Sequence, residues 1–588
     1  MKVLARFSGV FLLTAILFLQ FSAMVYGFTN LPISGLAGVL RGSVALADYD
    51  KDGQLDFIVT GVTNASTDAK TVQLWRNTGS GFTNVWIPDF PQVADSSLTW
   101  VDYDNDGLMD LMITGRTNNN TSGSIAQLWR NLGGSFSNVT TVVFPGLPGL
   151  RYASLAWGDY DNDGRLDLLA CGLPATLVSY AQLWRNIGTV FTNVTIPDLM
   201  QVGKGSVAWT DFDNDGYLDF LITGTTNDFT AAFSQLWRNT GSGFSNVTAS
   251  AAIGLPGVAF GSVSFVDYDN DGRQDFMLTG STNVTFLSLL SQLWHNNGGG
   301  FSNITASVLP NVPNVWRSSV AWGDFDNDGR MDFLLTGSTN RVPSSGWISE
   351  LWKNTGDNFV SYPVAGLPGV LNSSVACGDF NNDGRLDFVV TGAGVDFQGV
   401  SQLWQNEISV TNTPPTTPTD LAMTASGNGV LFSWNAAADS QTPFSGLTYN
   451  VRAGTTHGAN NLLAANVDAT TGFRLVPSFG NAISRESLAL GGVTNTQIIY
   501  WSVQAVDNAF LGGNFAPEVN GVSMPSLRIT RGASNNAVIS WKPSTWGWKL
   551  QESTTGLFGP WSDSSSGELN PSIVAPTNTA KFFRLVSP

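Results

Sequence analysis

DYDKDGQLD at residues 48–56 is the first of seven copies of one nine-residue acidic string. The other copies are DYDNDGLMD at 102–110, DYDNDGRLD at 159–167, DFDNDGYLD at 211–219, DYDNDGRQD at 267–275, DFDNDGRMD at 324–332 and DFNNDGRLD at 379–387. Successive copies start 52 to 57 residues apart, and a second string keeps the same period, from QLWRN at 73–77 to QLWQN at 402–406. A fixed period of this kind indicates one structural unit copied seven times.

The acidic string has the pattern of a loop that binds a hard cation. Calcium takes about six to eight oxygen ligands, several from carboxylates on alternate residues of a tight loop with a glycine at the sixth position. The candidate ligands in the first copy are the side chains of Asp48, Asp50, Asp52 and Asp56 and the backbone carbonyl of Gln54. Turn chemistry alone would explain one Asp or Asn beside a Gly, but not acids at the first, third, fifth and ninth positions of six copies. Because the ligands are many and all are oxygen, the pattern favours calcium over magnesium.

The sequence after the loop distinguishes it from an EF-hand, which needs a glutamate at the twelfth position and flanking helices. The twelfth position holds Val59 in the first copy, inside the run LDFIVTG, which is typical of a buried strand. The loop is therefore expected to join two strands. In the seventh copy the third position is Asn381, whose neutral amide oxygen should make a weaker ligand.

Four strands can be identified in each period. In the third copy they are SLAWGDY, LDLLACG, YAQLWRN and VFTNVTI, and Gly-containing turns such as TGSG at 78–81 favour antiparallel pairing of the last two. Four strands in each of seven repeats predict an all-β fold with a seven-bladed β-propeller. The last copy lacks its fourth strand, whereas the segment FTNL at 28–31 resembles one. We therefore expect residues 28–31 to close the ring.

The seven strings resemble the calcium loops of FG-GAP (VCBS) repeats, which build the propeller head of integrin α chains and occur in many secreted bacterial proteins. The resemblance covers residues 28 to about 408. It implies about seven calcium ions, each bound by the side chains at positions one, three, five and nine and by the carbonyl at position seven. In the second to fourth loops these residues are Asp102, Asp104, Asp106, Leu108 and Asp110; Asp159, Asp161, Asp163, Arg165 and Asp167; and Asp211, Asp213, Asp215, Tyr217 and Asp219. In the fifth to seventh loops they are Asp267, Asp269, Asp271, Arg273 and Asp275; Asp324, Asp326, Asp328, Arg330 and Asp332; and Asp379, Asn381, Asp383, Arg385 and Asp387.

The remaining segments predict a multidomain extracellular chain. Residues 1–27 have the basic start, apolar run and small residues of a cleaved signal peptide, with a membrane anchor as the alternative. The propeller should span 28–410, and the Pro/Thr stretch at 411–420 is typical of an extended linker. Residues 421–525 resemble a fibronectin type III sandwich, and 526–588 indicate a further small β module.

Composition excludes some classes of function. The formal net charge is −17, and 27 of the 45 acidic residues lie in the seven strings, so seven divalent ions would bring the charge to about −3. The 28 basic residues form no cluster, which argues against nucleic-acid binding. The two histidines, His295 and His457, lie in different predicted domains and cannot form one His-based catalytic or zinc site together. A polysaccharide lyase or hydrolase would need paired carboxylates, for which Asp89, Asp95 and Asp198 are candidates.

The connections on the face opposite the acidic loops are the expected place for a ligand. The segments between the second strand and the LW string vary from 9 to 12 residues, and variable loops on a rigid scaffold commonly carry recognition. There, Trp316, Arg317, Arg341 and Trp347 form a candidate aromatic and cationic patch, although ordinary loop decoration is the alternative. The LW tryptophans could stack on sugars, but packing between blades is the expected role.

These features predict a secreted, calcium-stabilised binding or adhesion protein that recognises an extracellular protein or glycan. A carbohydrate-active enzyme on the same ring is the alternative. We expect a monomer at the cell surface or outside the cell, without a transmembrane segment after signal cleavage, from a bacterial source.

Overall fold

The computed structural model describes residues 27–119, 123–226, 231–283, 288–340, 345–426, 429–493, 498–522, 526–531, 536–542, 549–555, 560–564, 572–574 and 581–586. The predicted signal peptide, apart from Gly27, lies outside the described residues. No helix within the described ranges has the length and apolar character needed to cross a bilayer.

The propeller predicted from the repeats is confirmed. Among the described residues it contains seven antiparallel four-stranded sheets, one for each repeat. The first three blades are β2 (Leu40–Ala47), β3 (Asp56–Asn64), β4 (Ala69–Asn77) and β5 (Phe82–Val85); β6 (Ala94–Val101), β7 (Asp110–Arg116), β8 (Ser124–Asn131) and β9 (Phe136–Asn138); and β10 (Arg151–Gly158), β11 (Asp167–Leu173), β12 (Tyr180–Asn186) and β13 (Phe191–Val194). The next three are β14 (Val207–Thr210), β15 (Asp219–Thr225), β16 (Ala232–Asn239) and β17 (Phe244–Asn246); β18 (Val263–Val266), β19 (Asp275–Ser281), β20 (Leu289–Asn296) and β21 (Phe301–Asn303); and β22 (Trp316–Gly323), β23 (Asp332–Ser338), β24 (Trp347–Asn354) and β25 (Phe359–Tyr362).

The seventh blade closes the ring with a strand from the start of the chain. It consists of β26 (Leu371–Gly378), β27 (Asp387–Ala393), β28 (Gly399–Asn406) and β1 (Phe28–Leu31). Phe28 pairs with Asn406 and Leu31 with Leu403 in the antiparallel register. The expected ring closure by residues 28–31 is thus confirmed, and it covers an edge that would otherwise remain unpaired.

The second strand of each blade is buried on both faces because neighbouring blades cover it. In β7, for example, every residue from Asp110 to Arg116 is buried. The LW tryptophans lie in the third strands and are at most 4% exposed, as in Trp75 and Trp404. Trp75 packs nearly parallel to Phe57 of the second strand, with the ring centroids 6.2 Å apart. The predicted packing role of these tryptophans is confirmed.

Short helices follow the outer strands of three blades: α1 (Thr140–Val143), α2 (Thr248–Ala251) and α3 (Thr305–Val308). Single 3-10 turns lie at Val395–Phe397 and Phe444–Gly446. Cys171 and Cys377 are buried and are not joined by a disulfide.

A β-sandwich follows the propeller. One sheet contains β29 (Thr419–Ser426), β30 (Gly429–Asn435) and β32 (Ser487–Leu490), and the other contains β31 (Thr448–Gly454), β33 (Ile498–Val506) and β34 (Val519–Val522). Its core includes Phe432, Tyr449 and Trp501, with the rings of Phe432 and Trp501 stacked 4.5 Å apart. The predicted sandwich is therefore confirmed.

The last segment forms two small three-stranded sheets. They are β35 (Ser526–Arg531), β36 (Ala537–Lys542) and β39 (Ser572–Val574), and β37 (Lys549–Ser553), β38 (Ser562–Asp563) and β40 (Phe582–Val586). Ile539 and Leu550 form the centre of a small core between them.

The sandwich is docked on the face of the propeller that carries the acidic loops. Backbone hydrogen bonds join Asp48 to Leu475, Asn162 to Gly491 and Asp324 to Asn508. Leu475 and Phe479, from the long connection between β31 and β32, pack into hydrophobic clusters of the blades. This docking leaves the opposite face of the ring uncovered by the sandwich.

Candidate metal centres and the opposite face

The backbone of each acidic loop donates hydrogen bonds to the aspartate at the first position of the same loop. In the first loop, Asp48 accepts hydrogen bonds from the backbone N–H groups of Asp52 and Gly53, at 3.1 and 3.0 Å. Gly53 has a φ of +82°, and the fourth residue, Lys51, also has a positive φ of 61°. Asparagine tolerates this left-handed conformation better than most residues, which explains why the other six loops carry Asn at the fourth position.

The first, third and ninth positions of the loop converge. Each offers a carboxylate oxygen, and the three oxygens lie within 4.8 Å of one another in the first four copies. The groups are Asp48, Asp50 and Asp56; Asp102, Asp104 and Asp110; Asp159, Asp161 and Asp167; and Asp211, Asp213 and Asp219. In the fifth copy the comparable group is Asp269, Asp275 and His295. Each of these groups has the composition and spacing to hold a metal ion.

The third position gives an independent indication of a cation. In four copies its Oδ1 atom is buried and accepts no hydrogen bond from any described residue; these are Asp50, Asp104, Asp161 and Asp213. A buried carboxylate oxygen without a partner is costly, and a bound cation is the common explanation in an acidic cluster. The residues therefore fit a hard metal ion.

Burial makes the charged state of these carboxylates unfavourable without such an ion. Burial raises the pKa of Asp48 to about 6 and that of Asp56 to about 8. It likewise raises the pKa of Asp102 to about 7 and that of Asp110 to about 9. A divalent cation would supply the missing positive charge and keep the group ionised.

Coordination by the fifth position remains a prediction, and the arginine of the LW string contacts it together with the third position. Arg76 pairs with Asp50 at 2.5 Å and with Asp52 at 2.9 Å, and Arg130 pairs with Asp104 at 2.8 Å and with Asp106 at 3.0 Å. Asp163 and Asp215 contact Arg185 and Arg238 in the same way. In the fifth and sixth blades His295 and Lys353 approach the loop from the place of this arginine.

The seventh position contacts the neighbouring LW string in four loops. The guanidinium Nε atoms of Arg165, Arg273, Arg330 and Arg385 each donate to the backbone carbonyl of the Asn that ends the LW string. The backbone N–H of the seventh residue donates to the fifth Asp, as Gln54 does to Asp52 at 3.1 Å. Coordination by the seventh carbonyl remains a prediction. In the seventh loop the Asn381 amide donates to Asp383 at 2.8 Å.

The asparagine that ends each LW string is a structural residue that the sequence reasoning missed. Asn131 donates its backbone N–H to Asp110 at 2.7 Å, and its side-chain amide donates to the carbonyl of Tyr49 in the preceding blade at 2.8 Å. The equivalent contacts to the preceding blade are made by Asn77, Asn186, Asn239, Asn296, Asn354 and Asn406. Its presence in all seven copies of the chain was the available signal. It links each acidic loop to the next around the ring.

A ring of seven residues with positive φ lies at the other end of the inner strands. We call it the mouth ring: Arg41, Asp95, Tyr152, Lys204, Phe260, Arg317 and Asn372, one from each blade. The backbone N–H of Phe260 donates to the carbonyl of Lys204, and that of Arg317 donates to the carbonyl of Phe260. Non-glycine residues rarely adopt this conformation, and its recurrence marks a constrained position.

The mouth ring combines cationic and aromatic groups. The Lys204 Nζ atom lies 5.0 Å from the ring centre of Phe260 and 5.7 Å from that of Tyr152. Arg317 lies over the indole of Trp316, 4.4 Å from its centre. On the other side, Asp95 is buried and paired with Arg116.

The predicted ligand patch is only partly exposed. Trp316 is 7% exposed and donates its indole N–H to the carbonyl of Asn340 at 3.1 Å. Trp347 is half-buried and packs on Phe397, with centroids 5.2 Å apart. Arg341 lies outside the described residues. A ligand-binding role for these residues and for Arg317 remains a prediction.

Part of the propeller is similar to a known repeat family. The profile of the FG-GAP-like repeat family matches residues 48–113, 102–170, 211–278 and 281–335. The human T-cell immunomodulatory protein is 30% identical over 262 residues, which make up 40% of this chain and 40% of that protein.

Two solved structures were also matched. A three-domain fragment of chicken CNTN1, FN1-FN3, has a TM-score of 0.16 and 10% identity, covering 46% of this chain and 92% of that one. The α-L-rhamnosidase from Dictyoglumus thermophilum has a TM-score of 0.14 and 11% identity, covering 24% and 18%. Neither TM-score supports an argument about this chain. By these sequence matches, four segments of the propeller are similar to FG-GAP-like repeats and part of the chain is similar to T-cell immunomodulatory protein.

Proposed function

We propose that this chain is a calcium-stabilised binding protein that acts outside the cell and recognises an extracellular protein or polysaccharide. The main observation behind the proposal is that the two faces of the ring carry different groups. One face holds the acidic clusters and the sandwich, whereas the other presents the mouth ring. The FG-GAP-like repeats and the name of the human relative support a role in recognition rather than in catalysis.

Calcium would be held by the side chains at the first, third, fifth and ninth positions of each loop and by the carbonyl at the seventh. In the first blade the carboxylates of Asp48, Asp50 and Asp56 converge most closely. The bound ion would neutralise carboxylates that burial otherwise keeps from ionising, and so would stabilise the hairpin between the first two strands. Sites of this kind in extracellular modules bind calcium at about 10⁻⁴ to 10⁻³ M. The proposed location outside the cell fits that range.

The ligand would bind on the face opposite the sandwich. Rigid inner strands position the side chains of Tyr152 and Arg317 there, and Tyr152 is 36% exposed. Aromatic and arginine side chains are enriched where proteins bind other macromolecules. The alternative of a polysaccharide lyase or hydrolase gains no support from Asp95, because the carboxylate of Asp95 forms an ion pair with Arg116.

The test is retention of the calcium-loaded chain on a glycan array and on a panel of extracellular proteins. We expect retention on at least one member, reduced about tenfold by Arg317→Ala. The matched control is Arg528→Ala, an exposed arginine of the last module, which should bind as the wild type does.

Two outcomes would contradict the proposal. Retention on neither surface would exclude recognition as the function. Shortened glycan chains after incubation would instead support the enzyme.

A further inference from the structure

The central channel of the propeller ends in a cavity that the sandwich closes. The cavity has a volume of about 670 Å³, and the inner strands of all seven blades contribute to its wall. Its aromatic lining includes Trp100, Trp157, Trp209 and Trp322. On the opposite side it is bounded by residues 474–481 of the sandwich, among them Phe479. We call this space the interdomain chamber.

One charged side chain that lines the chamber is only partly hydrogen-bonded. Arg474 is 6% exposed, and its Nη2 atom donates to the carbonyl and hydroxyl of Ser478 and to the carbonyl of Phe479. Its Nε and Nη1 atoms are buried and find no hydrogen-bond acceptor among the described residues. Within the same ranges, Arg474 forms no ion pair with a carboxylate. A buried guanidinium in this state is costly unless something else satisfies it.

Other polar atoms that line the chamber are also unsatisfied. The indole N–H of Trp100 and the side-chain oxygens of Asn105 and Asn466 are buried and lack partners in the described parts of the chain. Such atoms can bind hydroxyl groups, the Trp100 donor to an oxygen and the two amide oxygens to an O–H. A cavity with apolar walls and a few polar groups of this kind is typical of a small-molecule site.

The neighbouring charges do not compensate Arg474. Asp507 influences it electrostatically, but its oxygens already accept from Asn412, Ala509 and Leu511. Arg485, which also lines the chamber, is paired with Asp211 at 3.1 Å. Asp159 lies at the wall as part of an acidic cluster. Burial lowers the pKa of Arg474 to about 10, as expected for a cation without a counter-charge.

We propose that the interdomain chamber binds a small organic monoanion with a polar ring, a sugar acid of the hexuronate class, whose carboxylate accepts from Nε and Nη1 of Arg474. The ring of such a ligand would pack its C–H face on the indoles, and its hydroxyls would meet Trp100, Asn105 and Asn466. An inorganic anion alone would leave most of the volume and the aromatic wall unused. The site differs from the proposed macromolecular surface at the mouth ring and does not depend on it.

The test uses the full-length, calcium-loaded chain and calorimetric titration with D-glucuronate. D-glucose supplies the neutral control of the same ring, and inorganic phosphate supplies an anion without the ring. We expect glucuronate to bind about tenfold or more tightly than either control, and Arg474→Gln to weaken glucuronate binding about tenfold or more. Arg528→Gln, at an exposed arginine of the last module, is the matched control and should leave the affinity unchanged.

A second measurement on the wild type covers the case in which Arg474→Gln fails to fold. Hydrogen exchange should slow in residues 474–481 when glucuronate is added, and remain unchanged with glucose. The proposal is wrong if glucuronate does not bind the wild type, if Arg474→Gln binds it equally well, or if protection appears at the mouth ring and not at 474–481.

Discussion

The two faces of the propeller use the sevenfold repeat in opposite ways. On the loop face, nearly the same nine residues recur in each blade, and the same contacts recur with them. In the mouth ring, the backbone conformation recurs, but the seven side chains include two arginines, a lysine, an aspartate, an asparagine and two aromatic residues. Repetition of chemistry on one face suits a shared structural task, whereas varied chemistry on a repeated backbone suits recognition of a specific partner.

Among the predicted changes, removal of calcium should have the largest effect, and it should act through the loop face. We expect a chelator to lower the melting temperature of the full chain, because each ion contributes about 2.7 kcal/mol when free calcium is 100 times its dissociation constant. Differential scanning calorimetry with and without calcium measures the change. Equal melting in both conditions would contradict the structural role of the loops. Magnesium at equal concentration is the control and should restore less stability.

Substitution within one loop should show which positions bind the ion. Asp110→Asn removes a buried converging carboxylate, so we expect a loss of one calcium site and of about 2 to 3 kcal/mol of stability in calcium. Asp106→Asn, at the fifth position, removes a partly exposed carboxylate that also contacts Arg130, so the loss should be smaller, less than about 1 kcal/mol. Calorimetric titration gives the number of sites. Equal losses from the two variants would show that the fifth position contributes as much to calcium binding as the ninth.

Acidity should affect the calcium-free chain in a definite direction. The buried carboxylates have folded-state pKa values above their unfolded values, with Asp48 raised to about 6 and Asp56 to about 8. Their protonation therefore favours the folded state at low pH, and this contribution is lost as pH rises through about 6 to 8. The calcium-free chain should melt at lower temperature at pH 8 than at pH 6, and added calcium should raise melting more at pH 8. A calcium effect that decreases with pH would contradict this.

The smallest expected effect concerns the mouth ring. Lys204 has a φ of +53°, so Lys204→Gly should be more stable than Lys204→Ala by about 1 kcal/mol, since glycine adopts this conformation without strain. Both variants lack the ammonium group, so their difference isolates the backbone term. Urea unfolding measures it. Equal stability of the two variants would show that the repeated conformation is not strained.

The propeller could be predicted because two sequence motifs recur at a regular period along the chain. Seven acidic strings and seven LW strings fixed the number of blades, and the unpaired segment at 28–31 identified the closing strand. The docking of the sandwich could not be predicted in the same way. Leu475, Phe479 and Arg474 lie in a connection that occurs once in the chain, so no internal comparison distinguishes them from ordinary loop residues.

Within the loops, sequence spacing identified the acids but not their partners. Asp50 and Asp52 both contact Arg76, which lies in another strand. Such a contact depends on strand register, which the acidic string alone does not specify. The positive φ of the mouth ring could not be predicted from the sequence either, because residues as different as Asp95 and Phe260 adopt it.

The pairing of β1 with β28 has a consequence for the order of folding. Phe28 emerges from the ribosome early, but its partner Asn406 is made only after six further blades. Until then the first strand has no place in the ring, and the chain must keep it from pairing with other molecules. Completion of the disc should accordingly be a late and slow event in biogenesis, because it joins segments far apart in sequence.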